Sequence, residues 1–348
     1  MTVFNVPAPS VSWQNKALFL VWAPPHKGAR SQVLARELGI ERLHFVYCTS
    51  RRGLVSALFK YPWQAVRTLL LLLRERPGIV FVQSPPSLAV LFVYLYCQWA
   101  GAHYIIDAHS AAFQVAVWRR PEFLHRRLAR RALTTIVTNE RFQQMIQNWR
   151  AHSFLLRDIP TRFQARGQYP LNGDFNVAVV NSFSSDEPLS EILEAARSLP
   201  QVRLYVSGDK KKAIPGFLAS APANVHFTGL LPDGQYYALL SEAHVVMCLT
   251  TRDNTMQRGA CEALSLGKPL ITSDWPLLRD YFRSGAVHVA NASSEIRDGI
   301  LKLKKHYEQF ALEVLDLRNV RQQEWLESKR ALNSLIQNAG QAEERFAS

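Results

Sequence analysis

Leu249-Thr250-Thr251-Arg252-Asp253-Asn254-Thr255-Met256-Gln257-Arg258-Gly259-Ala260-Cys261-Glu262-Ala263-Leu264-Ser265-Leu266-Gly267-Lys268-Pro269 reads as a strand end, a polar loop, a helix and the approach to another strand. The run 245–249 is apolar throughout, the pattern of a strand buried on both faces. From about Met256, a helix places Ala260, Ala263 and Leu264 at i, i+3 and i+4, one buried stripe. Gly267 with Pro269 just beyond is a helix stop. A further short apolar run, 269–272, follows. Strand, helix and strand in succession belong to an α/β chain with a parallel sheet.

The same alternation extends outward in both directions. Upstream, strands are expected at 17–23, 44–47, 78–83, 104–107 and 134–138, with helices at 31–38, 62–74, 87–100, 121–132 and 140–149. A polar, patternless linker occupies 160–170. The alternation then restarts with strands at 175–180, 203–206, 225–227, 245–249 and 269–272 and helices at 188–198, 234–242 and 257–266; from 293 onward the chain is nearly all helical. The expected fold is α/β, two Rossmann-like doubly wound domains facing across a cleft, 1–165 and 171–348. Ligands of open α/β sheets sit outside the carboxyl ends of the strands, so functional residues should follow the strands.

Composition agrees with two packed domains. The chain has 348 residues, 48% hydrophobic and 20% charged, which excludes a disordered, collagen-like or small disulfide-stapled protein. Its net charge of +13 is unevenly placed. Residues 1–170 carry 22 Lys and Arg against 7 Asp and Glu, a net +15, whereas residues 171–348 carry 19 against 21, a net −2. The first half therefore meets something anionic: nucleic acid, a membrane surface or a phosphorylated substrate. Cys48, Cys97, Cys248 and Cys261 lie among apolar residues with no CxxC pair, as buried reduced thiols do. No basic residue precedes Lys16, and the following apolar run breaks at Pro24-Pro25, which suits a first strand better than a signal peptide. The apolar stretch 88–106 is interrupted by Gln98, Gly101 and His103 and reads as a buried helix leading into a strand. The expected location is cytoplasmic, peripheral to a membrane at most.

Several strand ends carry chemistry. Backbone N–H groups at Asn254–Arg258, with the helix dipole and Arg258, suit an anion. Glu262, about a turn and a half into the helix, can accept bonds from a vicinal diol such as a ribose; a capped helix with Glu262 on a solvated face is the alternative. His109 follows the strand ending at Asp107 and can hydrogen-bond a ligand or handle a proton. Asp107 either orients that ring or caps the strand, and capping is the simpler reading. The loop Pro24-Pro25-His26-Lys27-Gly28-Ala29-Arg30-Ser31 opens the first helix, with Gly28 permitting close backbone approach and Ser31 able to cap. It is an anion-contacting loop or an ordinary connector. Lys210-Lys211-Lys212 after Gly208-Asp209 is a phosphate clamp or a solvated turn. Asn139 in Thr138-Asn139-Glu140 reads as a helix cap. Residues 118–131 form a basic amphipathic helix with Trp118 and Phe123, suited to docking on anionic lipid or simply solvated. Aromatic-basic sheet motifs and zinc spacings are absent from the sequence, so nucleic acid ranks below membrane.

The helix Gly259-Ala260-Cys261-Glu262-Ala263-Leu264-Ser265-Leu266-Gly267-Lys268-Pro269 resembles the donor-sugar motif of the family 4 glycosyltransferases, whose fold is GT-B. Their pattern is a Glu, seven residues, a second Glu, then Ala-x-Ala-x-Gly-x-Pro. Glu262 matches the second Glu, which the resemblance implies binds the nucleotide ribose. Asn254 stands where the first Glu would, with Asp253 beside it, a departure that bears on the donor-sugar contacts. In the first half, Val80-Phe81-Val82-Gln83-Ser84-Pro85-Pro86-Ser87 and Ile105-Ile106-Asp107-Ala108-His109-Ser110 resemble the Q-N-P-P and D-W-H segments of dolichyl-diphosphate chitobiose β-mannosyltransferases. Val180-Asn181-Ser182-Phe183-Ser184-Ser185-Asp186-Glu187 resembles their S-x-T-S-W-x-x-D-E stretch.

These resemblances imply a glycosyltransferase, a hexosyltransferase, moving sugar from a nucleotide-sugar to a membrane-associated acceptor, a lipid-linked glycan or glycolipid. They imply donor contacts at Asp253, Asn254, Thr255, Met256, Gln257, Arg258, Gly259 and Glu262. Lys210 and Lys211 would stand in for the family's diphosphate clamp, and Gly229-Leu230 would form the base loop. His109 would be catalytic, and His26, Lys27, Gly28 and Arg30 would contact acceptor. Domain closure would exclude water. No Asp-x-Asp pair occurs, so no metal or other cofactor is expected, nor nucleic acid; contact with anionic membrane is expected through 118–131. The family 4 motif implies retention of anomeric configuration and the β-mannosyltransferase segments imply inversion; the donor motif is the closer match, so retention is favoured. A same-fold nucleotide-sugar epimerase and a non-catalytic basic binding module are the rival readings.

Overall fold

A computed structural model describes residues 13–25, 29–49, 53–160, 163, 167–213 and 216–347. In chain order the elements are β1 (Ala17–Val21), α1 (Ala29–Leu38), β2 (Leu43–Phe45), α2 (Leu54–Glu75), β3 (Ile79–Ser84), α3 (Ser87–Ala100), β4 (His103–Ala108), α4 (Ala111–Gln114), α5 (Ala116–Arg119), α6 (Glu122–Arg131), β5 (Thr134–Val137), α7 (Glu140–Asn148) and β6 (Ser153–Leu155). There follow β7 (Asn176–Val179), α8 (Leu189–Arg197), β8 (Arg203–Ser207), β9 (Val225–Gly229), α9 (Asp233–Glu242), β10 (Val245–Cys248), α10 (Arg258–Leu266), β11 (Leu270–Ser273), α11 (Pro276–Tyr281), β12 (Ala286–Val289), α12 (Ser293–Lys305) and α13 (Tyr307–Ala347). They pack as two compact units. The first runs to Ile159 and regains the chain from Trp325 onward; the second is Pro160–Glu324.

The first unit holds a six-stranded parallel sheet in the order β2-β1-β3-β4-β5-β6. Its central strands are apolar on both sides because both faces are covered. Leu18, Leu20, Val80, Val82 and Ile106 point to the face carrying α2, α3 and α6. Phe19, Phe81 and Ile105 point to the other, against Leu34 and Leu38 of α1. Phe19 and Phe81 are register partners on neighbouring strands, with ring centroids 5.5 Å apart.

The second unit repeats the plan with a parallel sheet ordered β12-β11-β10-β7-β8-β9. One face is filled by Val177, Leu204 and Met247 against α8 and α12, the other by Ala178, Val246 and Leu270 against α9, α10 and α11. The α/β, doubly wound expectation is what the structure shows.

Four local readings differ. The helical tail does not stay with the second half: Trp325, Leu332 and Ile336 of α13 join the core of the first unit beside Phe19 and Ile105, because burying them there removes apolar surface that a free helix end would expose. α2 begins at Leu54 and runs through Pro62, since Tyr61 before the proline and Ala65 after it both pack on the sheet face and hold the helix together across it. β6 and β12, short strands at sheet edges, and the one-and-a-half-turn α11 are additional elements. Finally, Cys97, Cys248 and Cys261 are buried as expected, but Cys48 follows β2 on the surface and is exposed.

Candidate active site

In each sheet the strand order reverses once, and ligands of doubly wound folds bind at that reversal. In the first unit it lies between β1 and β3. The residues at the carboxyl edge there are Ser31 on α1, Gln83 on β3, Asp107 on β4 and His109 just beyond. Asp107 is completely buried while His109 keeps about a fifth of its side chain in solvent (22%). His109 Nε2 lies 3.1 Å from Asp107 Oδ2, and the Ser31 hydroxyl donates to the same oxygen at 2.9 Å. Ser31 Oγ is also 3.3 Å from Gln83 Oε1 and 3.4 Å from His109 Nε2. Burial pushes the Asp107 carboxyl up, but the charge and hydrogen bond of His109, the Arg30 guanidinium and the Ser31 hydroxyl outweigh it and hold it below the usual carboxylate range. Asp107 is therefore an ionised anchor for the imidazole, which corrects the strand-cap reading.

Arg30 is placed inward. Its Nη1 and Nη2 donate to the carbonyls of Arg157 and Leu156 at 3.1 and 3.0 Å, and its Nε lies 3.8 Å from Asp107 Oδ1. It stands behind the Asp107–His109 pair, a support that sequence reading assigned to acceptor contact. His26, Lys27 and Gly28 lie outside the described residues. Asn139 is a helix cap, accepting from Phe142 N at 3.0 Å, and Glu140 pairs with Arg157.

In the second unit the reversal lies between β7 and β10. Glu262 sits on α10 at 3% exposure, so it is not on a solvated face. Tyr236 of α9 donates to its Oε2 at 2.8 Å, and Arg258 Nε, one turn earlier, to its Oε1 at 2.6 Å. Burial, then the Glu262 charge and hydrogen bond, drive the Tyr236 phenol well above its ordinary range. Burial disfavours the Arg258 cation, but Glu262 reverses that and raises it. The carboxylate is thus held at both oxygens.

α10 starts at Arg258, one to two residues later than the expected start at Met256 or Gln257, so Thr255, Met256 and Gln257 belong to the loop before it. Gln257 is extended (φ −89°, ψ 120°) and forms the N-cap, and upstream Asn254 takes the left-handed conformation (φ 56°), which an asparagine tolerates, with its N–H on Asp253 Oδ1 at 2.6 Å. Thr250 pins the loop. Its N–H donates to Ser273 Oγ, its carbonyl accepts from Trp275 Nε1 and Asn291 Nδ2, and its hydroxyl donates to Asp186 Oδ2, all between 2.8 and 3.0 Å. Asp186 also accepts Thr251 N at its carbonyl (2.7 Å) and pairs with Arg252 (3.2 Å), which ties the β7–α8 loop to the β10–α10 loop. Glu187 closes its own loop by accepting from Ser182 and Ser184 N–H groups at 2.8 and 3.0 Å. Gly259 is required here because a Cβ would stand 2.6 Å from Val180 Cγ1 at the end of β7.

The ends of β8 and β9 form a neighbouring patch. Gly208 (φ 124°) would place a Cβ 2.3 Å from the Asn181 carbonyl oxygen, so only glycine lets the two loops approach. Gly208 N donates to the Gly229 carbonyl at 3.2 Å, and the Lys210 stem lies alongside Gly229. Lys210, Lys211 and Lys212 form one exposed 3₁₀ turn whose Lys211 N–H is capped by Asp209 at 3.1 Å, and Leu230 is exposed beside it. Lys210, Lys211, Gly229 and Leu230 are therefore brought together, as are Asp253 to Gly259 with Glu262. Ser31, Gln83, Asp186, Thr250, Tyr236, Ser273 and Asn291 were not among the expected site residues; Ser31 in the loop after β1, Gln83 in the Gln-Ser-Pro-Pro segment and the Asp186-Glu187 pair carried a sequence signal, while the others are ordinary polar residues identified only by what they touch. Among the described residues no group of three or more His, Cys, Asp and Glu side chains is placed to hold a metal ion.

Residues 187–327 match the family model described as glycosyl transferase-like. That span contains Tyr236, the Leu249–Gln257 loop, Arg258 and Glu262. A search of curated protein sequences finds no match to the chain. Among solved structures, sucrose-phosphate synthase from Thermosynechococcus elongatus aligns with a TM-score of 0.71 at 13% identity, over 94% of this chain and 99% of that one. HepE of Anabaena, solved in complex with UDP-glucose, aligns at 0.66 and 13% identity, over 92% and 99%. UDP-GlcNAc 2-epimerase from Methanocaldococcus jannaschii aligns at 0.57 and 12% identity, over 82% and 92%. The fold is GT-B.

Proposed function

We propose that the chain is a glycosyltransferase that moves a hexose from a nucleotide-sugar to a membrane-associated acceptor, a lipid-linked glycan or glycolipid, with retention of configuration. The observation that carries this reading is Glu262: a buried carboxylate one turn into the helix after β10, held by Arg258 and Tyr236, within the span that matches the glycosyl transferase-like model. In the proposal the ribose hydroxyls take the Oε1 edge held by Arg258, and the released guanidinium turns to the donor diphosphate. Lys210 and Lys211 add positive charge there, and the backbone N–H groups at the α10 start complete the anion site. HepE, which has the same fold, has been solved in complex with UDP-glucose.

His109 supplies the reacting-centre group. With Asp107 accepting from Nε2–H, the Nδ1 lone pair is left to accept a hydrogen bond from a sugar hydroxyl or the acceptor's proton. The β-mannosyltransferase-like segments favour inversion, and product anomer analysis decides between the two outcomes. The reading is tested by incubating the chain with labelled UDP-, GDP- and ADP-sugars, with and without lipid-linked acceptor. Transfer that requires acceptor and fails in Glu262→Ala supports it. The epimerase likeness supplies the second reading, under which donor is converted with no acceptor present.

A further inference from the structure

α2 is apolar on both its inner and its outer face. Its polar residues Gln64 and Thr68 are fully buried and in use: Gln64 Nε2 donates to the Val46 carbonyl at 2.7 Å, and Thr68 Oγ1 accepts from Trp22 Nε1 at 2.8 Å. Leu72 is buried and Tyr61, Leu69 and Leu71 pack on the core, yet a second set of large apolar residues points the other way. Phe59, Trp63, Val66, Leu70 and Leu73 are 43–76% exposed, at i, i+4, i+7, i+11 and i+14, a stripe along the outer face. A helix on the surface of a soluble domain carries polar and charged residues on that outer face. α3, packed beside α2, extends the patch with Trp99 at 75% exposure. An exposed apolar surface of this length marks a contact site.

Charge says what covers it. Lys60, Arg67 and Arg74 flank the stripe, Glu75 is the one acidic residue between Gly53 and Ala100, and the Arg67 guanidinium lies 5.7 Å over the Trp63 ring. A second copy would set this basic face against itself, at a like-charge cost. An anionic bilayer satisfies both parts: acyl chains meet the stripe, lipid phosphates meet the cations, and the aromatic rings suit the headgroup boundary. The basic helix expected to dock, residues 118–131, has its Leu128 and Ala129 buried in the core, so it offers charge and Phe123 but no apolar face of its own.

We propose that α2, with the outer side of α3, lies in the interface of an anionic lipid bilayer, its apolar stripe at the headgroup–acyl boundary and Lys60, Arg67 and Arg74 on lipid phosphates. This deepens the reading of a membrane-associated acceptor, but it is tested without donor or acceptor, so either claim can fail alone. The full chain is co-sedimented with vesicles of phosphatidylcholine, alone or with about 30% phosphatidylglycerol. Binding to the anionic vesicles is expected, reduced by salt. Phe59→Glu with Leu70→Glu should lower partitioning by at least about tenfold, while the melting temperature, monitored by circular dichroism, stays unchanged. Arg67→Glu with Arg74→Glu should abolish the preference for anionic lipid. Wild-type indifference to vesicles, or apolar-face variants that bind like wild type, would overturn the proposal. So would light scattering showing a wild-type dimer that Phe59→Glu with Leu70→Glu converts to monomer, since a second copy would then own the face.

Discussion

Both units place a buried carboxylate at the carboxyl edge of a parallel sheet, yet the two carboxylates hold different partners. Asp107 holds His109 and Ser31, and Glu262 holds Arg258 and Tyr236. An imidazole gains and loses a proton near neutral pH, whereas a guanidinium does not. The same scaffold therefore builds an imidazole–carboxylate pair in one unit and a fixed-charge guanidinium–carboxylate pair in the other; in the proposed function the first handles a proton and the second holds a ligand. The charge balance follows the same division, +15 in the first 170 residues and −2 in the rest.

Five substitutions or conditions press on that comparison. Glu262→Ala should have the largest effect, reducing transfer by about 10²–10³-fold or more through donor binding and positioning; it also leaves Arg258 and Tyr236 without their acceptor, so unit stability should drop by about 1–3 kcal/mol in a urea titration. Wild-type turnover in this variant would break the fixed-charge half of the comparison. His109→Ala should lower kcat by about 10²–10⁴-fold with little change in donor affinity. Asp107→Asn should follow it in part, and the double variant should be no worse than His109→Ala alone, because the two act as a unit. Additive losses would separate the pair.

Gly208→Ala should destabilise the second unit by more than about 1 kcal/mol and leave the first unit's transition in place, since a Cβ meets the Asn181 carbonyl at 2.3 Å with the backbone already at positive φ. Circular dichroism melting with proteolysis of each unit checks this. The smallest effect is on acid stability. The Asp107 carboxyl titrates in the folded chain below its ordinary value of 3.8. Its contribution is complete above that value and is lost as pH falls from 3.8 through the lower folded pKa, where the unfolded chain already holds the proton. Urea titrations at neutral pH and at about pH 3 should show that acid loss in wild type and a smaller one in Asp107→Asn.

Most of the fold was legible because buried parallel strands are continuous apolar runs. β1, β3, β4, β7 and β10 stand at the sheet centres, and their sequences admit little else. β6 and β12 lie at sheet edges with one neighbour each, so their burial pressure is partial and their short runs do not stand out. The fate of α13 was hidden for another reason: one continuous helix serves two cores, and periodicity does not say which core a stripe faces. In the site, Glu262 and His109 were readable from their places after strands. The roles of Ser31 and Tyr236 were not, since a serine at a helix start or a tyrosine in a helix becomes informative only through a partner distant in sequence. The outward stripe of α2 was in plain view as apolar residues, but sequence hydrophobicity alone assigns such residues to a core.

The central claim is that the second unit binds a nucleotide-sugar through Glu262. Thermal unfolding of wild type and Glu262→Ala, each with a panel of UDP-, GDP- and ADP-sugars, measures it directly. The expected result is a rise of several degrees in wild type with the sugars of one nucleotide, about 3 kcal/mol of stabilisation at a hundredfold excess over Kd, and no rise in Glu262→Ala. No rise with any nucleotide-sugar, or the same rise in both proteins, would contradict it.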